Sequence, residues 1–160
     1  MPESTQSLSQ FLEGLANEMK GIMDARGMNA SGRSKGLIEA RVSGTHGELL
    51  APNWILQLEQ GRGPTRGGRG KGPTLREIIR RWIDDKGVIA RNITKDQLAF
   101  AITKSIHEHG TKLFQSGGSS GIISTVITQQ RIDAFLTTFA KEELDKQSAE
   151  VNVLFKELLK

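Results

Sequence analysis

The sequence predicts an α+β fold, mostly helical, with a small antiparallel sheet and a long C-terminal helix. Three observations point there. Apolar stripes at helical spacing recur behind N-cap signals. Residues 37–43 alternate apolar and polar side chains ahead of a cluster of turn residues. From Thr128 onward a helical pattern runs to the end of the chain.

The first helix is predicted to begin near Ser7. Leu8, Phe11, Leu12, Leu15, Met19, Ile22 and Met23 form one stripe, Ser7 and Gln10 suit a capping box, and Gly27 suits the stop. The segment NASGRSKG reads as a loop with room for a short helical turn. Leu37–Ser43 is then one strand of a hairpin, with Ile38, Ala40 and Val42 inward, Gly44–Gly47 as the turn and Glu48–Ala51 as the return strand. Pro52 opens a short helix to Gln60 that carries Trp54, Ile55 and Leu58 on one side.

After a Gly-rich loop, Thr74 and Glu77 form a second capping box. The helix behind it is expected to bury Ile78, Ile79, Trp82 and Ile83 and to end at Gly87. Thr94 and Gln97 give a third such signal for a helix over Lys95–His109, with Leu98, Ala101, Ile102 and Ile106 inward and Gly110 as its end. Thr111–Phe114 leads into Ser116–Gly121, a tract of glycine and serine whose composition predicts flexibility. Ile122–Val126 favours a strand by propensity, or leads straight into the last helix. That helix carries Ile132, Phe135, Leu136, Phe139, Val151, Leu154, Phe155 and Leu158, and its stripe weakens between Glu142 and Glu150. One long helix or two would fit, and the distal part needs a partner chain to cover it. Residues 1–126 are therefore read as an α+β domain with a basic Gly-rich loop at 61–73, and residues 127–160 as a C-terminal helical arm.

Composition narrows the function. The chain has 160 residues and no cysteine, which excludes disulfides, thiolate metal sites and cysteine nucleophiles. At 36% hydrophobic residues the core is modest. MPESTQSLSQ lacks the basic and apolar regions of a secretory signal, and no apolar run approaches the roughly 18 residues of a membrane span. Lys and Arg number 22 against 18 Asp and Glu. The whole excess lies in Gly61–Pro73, which holds Arg62, Arg66, Arg69 and Lys71 and no acid; the rest balances at 18 to 18.

That loop is the candidate site. It is not a phosphate-binding P-loop, because Thr65 stands where the first glycine belongs and Gly72 follows the lysine. Its four cations and open backbone suit an acidic protein surface or nucleic-acid phosphates. No aromatic interleaves them to stack on bases. His107 and His109 stand about 200° apart on a helix and cannot readily share a metal ion. Asp84–Asp85 and Glu142–Glu143 read as solvated surface pairs, and Trp54 and Trp82 as core. No catalytic residue, metal ligand or cofactor-binding residue emerges, so no enzyme activity and no cofactor is expected.

The run Trp54–Thr65, WILQLEQGRGPT, is similar to the "LE-x-GRxPT" segment of tailed-phage neck and tail-completion (head–tail joining) structural proteins. Thr74–Val88 and Leu98–Phe114 also resemble that family, as does the order of the parts, over roughly Leu37–Gln115. The resemblance implies a virion structural protein at the head–tail junction, present in the host cytoplasm during assembly. It would form a homo-oligomeric ring around the DNA channel, as a neck, viral tail-completion or head–tail connector component. Its partners would be copies of itself and neighbouring portal, adaptor and tail proteins. Non-specific contact with packaged DNA is also expected, and contact with a membrane is not. The alternative is a small, sequence-independent nucleic-acid-binding accessory protein that uses the same basic loop.

Overall fold

The computed structural model describes residues 3–67 and 72–158, with side chains from Thr5 to Gly67 and from Gly72 to Asn152. The helices are α1 (Glu3–Ala25), α2 (Arg33–Gly36), α3 (Ile55–Gln60), α4 (Leu75–Asp85), α5 (Lys95–His109), α6 (Lys112–Gln115) and α7 (Gln129–Leu158). A two-stranded antiparallel sheet, β1 (Glu39–Ser43) and β2 (His46–Leu50), lies between α2 and α3. The architecture is the expected α+β one. No helix among the described residues is long and apolar enough to cross a membrane.

Local signals explain most element boundaries. Thr74 and Thr94 cap α4 and α5 through complete capping boxes with Glu77 and Gln97. Helix α1 ends in a Schellman motif, Met28 N donating to Met23 O at 2.9 Å and Gly27 N to Asp24 O at 3.0 Å. The same pair of bonds closes α4 at Gly87 and Val88. The start of α1 differs from expectation. The helix begins at Glu3, so Ser7 lies inside it and its hydroxyl donates to Glu142 at 2.9 Å instead of capping.

The hairpin pairs Glu39 with Leu50 through to Ser43 with His46, leaving a two-residue turn, Gly44–Thr45. Its inner face lies on α1, and the Thr5 hydroxyl donates to Gly44 O at 3.2 Å. The core gathers Leu15, Ala16, Met19 and Met23 of α1 with Ile38, Ile55, Ile122 and Val126. Three distant stretches of chain thus meet on one face of α1, and burying their apolar surface is the main driving force for the fold.

Ile122–Val126 is not a strand. It is a run of turns that places Ile122 and Val126 wholly in that core. It does not join the two-stranded sheet, and its β propensity is overridden by burial of the two side chains.

Helices α4 and α5 pack on each other, with Ile83 and Ala99 fully buried and outside the main cluster. Lys86 ties this pair to the rest by donating to Gly27 O at 2.6 Å and Asn29 O at 3.2 Å, and Arg33 bonds Asp85 at 3.2 Å. Arg80 bridges Asp96 at 2.8 Å and also pairs with Asp84, which Lys95 meets at 2.7 Å. Lys95 and Arg80 hold the Asp84 carboxyl below its usual range.

Helix α7 is a single helix of 30 residues. It runs antiparallel to α1 through Arg131–Glu18 at 2.7 Å, the stacked rings of Phe135 and Phe11 with centroids 4.1 Å apart, and Ser7–Glu142.

Candidate docking site

The basic loop divides in two. Its first part, Gly61–Thr65, is not a free loop but a strap bound across the end of α5 and the start of α6. Arg62 N donates to Thr111 Oγ1 at 3.0 Å, and Arg62 O accepts from Thr111 N at 2.8 Å. Thr65 N donates to His107 O at 3.1 Å, and the Thr65 hydroxyl meets His107 Nδ1 at 2.6 Å. His107 is thereby a partner of the strap.

Two glycines permit this closeness. Gly61 has φ +79°, and a Cβ there would lie 2.5 Å from Phe114 N. Gly110 has φ +81°, and a Cβ there would lie 2.7 Å from Arg62 O.

Of the four cations, Arg62 is half-buried, its guanidinium donating to Thr65 Oγ1 at 3.2 Å, and Arg66 is exposed. Arg69 and Lys71 lie outside the described residues. The structure therefore separates Arg62, bound into the strap, from Arg66. The backbone read as open from the sequence is bound at Arg62, by Thr111.

Two residues ahead of the strap in sequence stands a residue with no counterpart among the candidate site residues. Glu59, in the last turn of α3, is 4% exposed. Its Oε1 accepts from the Ser119 hydroxyl at 2.6 Å and Ser124 N at 3.2 Å; its Oε2 accepts from the Ser120 hydroxyl at 3.1 Å and Ile123 N at 3.0 Å. Its carbonyl accepts from Ser120 N at 2.7 Å. Burial alone would raise the carboxyl's pKa, but the hydroxyls of Ser119 and Ser124 and the amides of Ile123 and Ser124 outweigh it and lower the pKa to about 2.

Of Ser116–Gly121, expected to be flexible, Ser119 and Ser120 are therefore held by a buried carboxylate, with Ser120 fully buried, while Ser116–Gly118 bond back to α6. The clue available in the sequence was an acid beside Leu58 and Gly61, on the inward turn of a short helix, with a run of serines elsewhere to satisfy it. Glu59 is a structural pin: every partner is a neutral donor, and the group is shielded from solvent.

The other departures lie at the surface. Ile78 and Trp82, expected to be buried, are 47% and 40% exposed, because α5 covers the adjacent side of α4, where Ile83 lies. On α5 the fully buried apolar residue is Ala99; Leu98, Ile102 and Ile106 are half-buried, and Ala101 is exposed. Trp54 is also partly exposed, its Nε1 donating to Ser34 Oγ at 2.9 Å. Leu144 and Val151 of α7 stand 66% and 48% exposed.

Among the described residues no group of three His, Asp or Glu could hold a metal ion. A shallow depression by Arg76, Arg80, Arg81 and Asp84 has charged walls, unlike a small-molecule pocket.

Two of the segments singled out in the sequence, 54–65 and 98–114, meet in this strap. Their glycines, threonines and Glu59 serve architecture. Against known families, curated proteins and solved structures, the chain has no significant match.

Proposed function

We propose that this chain is a virion structural protein of the head–tail junction of a tailed phage, forming a ring around the DNA channel by docking to copies of itself and to neighbouring particle proteins. One observation supports this most: the molecule carries large apolar side chains on two separate faces, on α4 and on distal α7, which its own described residues leave open. Apolar surface held outside a modest core is what a docking subunit requires. The likeness of 54–65, 74–88 and 98–114 to neck and tail-completion proteins directs the reading to that particle. Quantitative mass spectrometry of purified tailed particles tests it. A fixed ring-like stoichiometry relative to the capsid protein is expected; absence from the particles would refute it.

A second reading is supported by the charge pattern. Residues 62–81 contain seven Arg and Lys and one acid, Glu77. A sequence-independent nucleic-acid-binding accessory protein would use them on phosphates. It would show a log–log salt slope of about −4 if the four loop cations made those contacts. The slope would vanish on changing Arg62, Arg66, Arg69 and Lys71 to Ala, and a lack of binding at low salt would end this reading.

A further inference from the structure

The three α1–α7 contacts, Glu18–Arg131, Phe11–Phe135 and Ser7–Glu142, define one antiparallel register. Continued along both helices, it sets Glu3, the first residue of α1, opposite residues 143–146. Helix α7 goes on to Leu158, so its last twelve residues pass beyond α1 by about 18 Å. This overhang carries Val151, and Leu144 sits at its root; the two are one heptad apart and share a face. At about 100° per residue, Glu143 and Glu150 flank one edge of that face and Asp145 the other, with Lys141 beside Leu144; Glu142, bonded to Ser7, and Lys146 fall on the opposite face.

The complementary surface is on α4. Ile78, Arg81 and Trp82 are neighbours at i, i+3 and i+4, all exposed, and Arg81 has no ion-pair partner among the described residues. They follow directly from the basic run that starts at Arg62. An apolar stripe with three acids at its edges and an apolar pair beside Arg81, whose one acidic neighbour on that face, Asp85, is paired with Arg33, are thus present on the same chain, and α4 and α7 are not among its packed helix pairs.

We infer that the overhanging end of α7 of one copy docks on the Ile78–Arg81–Trp82 face of α4 of the next copy. This contact deepens the ring reading and rests on it. It is heterologous, using a different surface on each side, so it propagates from copy to copy and closes a ring where the rotation permits. The charges steer the encounter and set its direction, and Leu144 and Val151 against Ile78 and Trp82 supply the apolar contact.

The absence of native cysteine makes a clean test. Ile78→Cys and Val151→Cys are made separately in the full chain, at exposed positions that spare the fold, and treated with a flexible bis-maleimide. Each variant alone is expected to stay uncrosslinked. A one-to-one mixture is expected to give a covalent dimer, and the double variant a ladder of higher species. Adding Arg81→Glu to the Ile78→Cys chain, or working at high salt, should cut the dimer several-fold. A mixture that yields no more dimer than the single variants would overturn the contact, as would a dimer formed by either variant alone in equal yield. Copy number in the particle is measured separately. A fixed copy number without the mixed crosslink defeats this interface alone, whereas absence from the particle defeats the ring reading.

Discussion

The strap region around Glu59 and the exposed faces of α4 and α7 treat their side chains in opposite ways. Around Glu59, polar groups are consumed internally: both carboxylate oxygens are satisfied twice, and Ser119, Ser120, Ile123 and Ser124 are fixed by them. On α4 and distal α7, apolar groups point outward with no cover from the described chain. Glycine content alone therefore does not decide mobility, and an apolar stripe alone does not decide burial. What decides is whether the chain supplies a partner. A buried acceptor with several donors holds loops that propensity would leave loose, and an amphipathic helix without a partner offers its stripe to another molecule.

The largest expected effect breaks the first side of that contrast. Glu59→Gln replaces an acceptor oxygen with an amide that confronts N–H and O–H donors. It should cost about 3 kcal/mol, read as a lower midpoint in urea unfolding. The same carboxyl gives a pH signature. Its pKa is about 2 in the fold against 4.5 for a free glutamate. Its stabilisation is therefore complete above about pH 4.5 and fades as pH falls toward 2, because the unfolded chain takes up the proton first. Stability followed from pH 7 to pH 2 should lose about 3 kcal/mol more in the wild type than in Glu59→Gln.

Gly61→Ala comes next. It combines a positive φ with a Cβ that would meet Phe114 N, and a loss of about 2 kcal/mol is expected by thermal unfolding. Thr74→Ala removes one capping box and should cost about 1 kcal/mol, measured the same way. The smallest stability effect sharpens the other side of the contrast. Leu144→Ser, on the open face of α7, should change unfolding free energy by less than about 0.5 kcal/mol while weakening self-association in sedimentation.

The features legible in the sequence are those set within a few residues. The capping boxes of Thr74 and Thr94, the stops at Gly27 and Gly87 and the alternation through Ile38, Ala40 and Val42 are local physics, and the fold class follows from them. The Glu59 pin depends on partners about 60 residues away, and nothing local marks Ser119 or Ser120 as donors to it. Ile122–Val126 shows the same limit: β-branched residues suit a strand, but these two are used as core contacts within a turn. Of the candidate site, the placement of Arg62 depended on Thr111, 49 residues away. The stripe of Ile78 and Trp82 was visible as amphipathicity, yet periodicity names a face without naming what covers it. The overhang of α7 became visible only once its register on α1 was known.

The most direct test of docking through these faces is competition within the particle. Wild-type and Ile78→Ser chains are supplied together during infection, and their ratio in purified tailed particles is measured by mass spectrometry against their ratio in the lysate. Ile78 is exposed, so the variant folds, and its strong depletion from the particles is the predicted result. Incorporation at the lysate ratio would contradict docking through the α4 face.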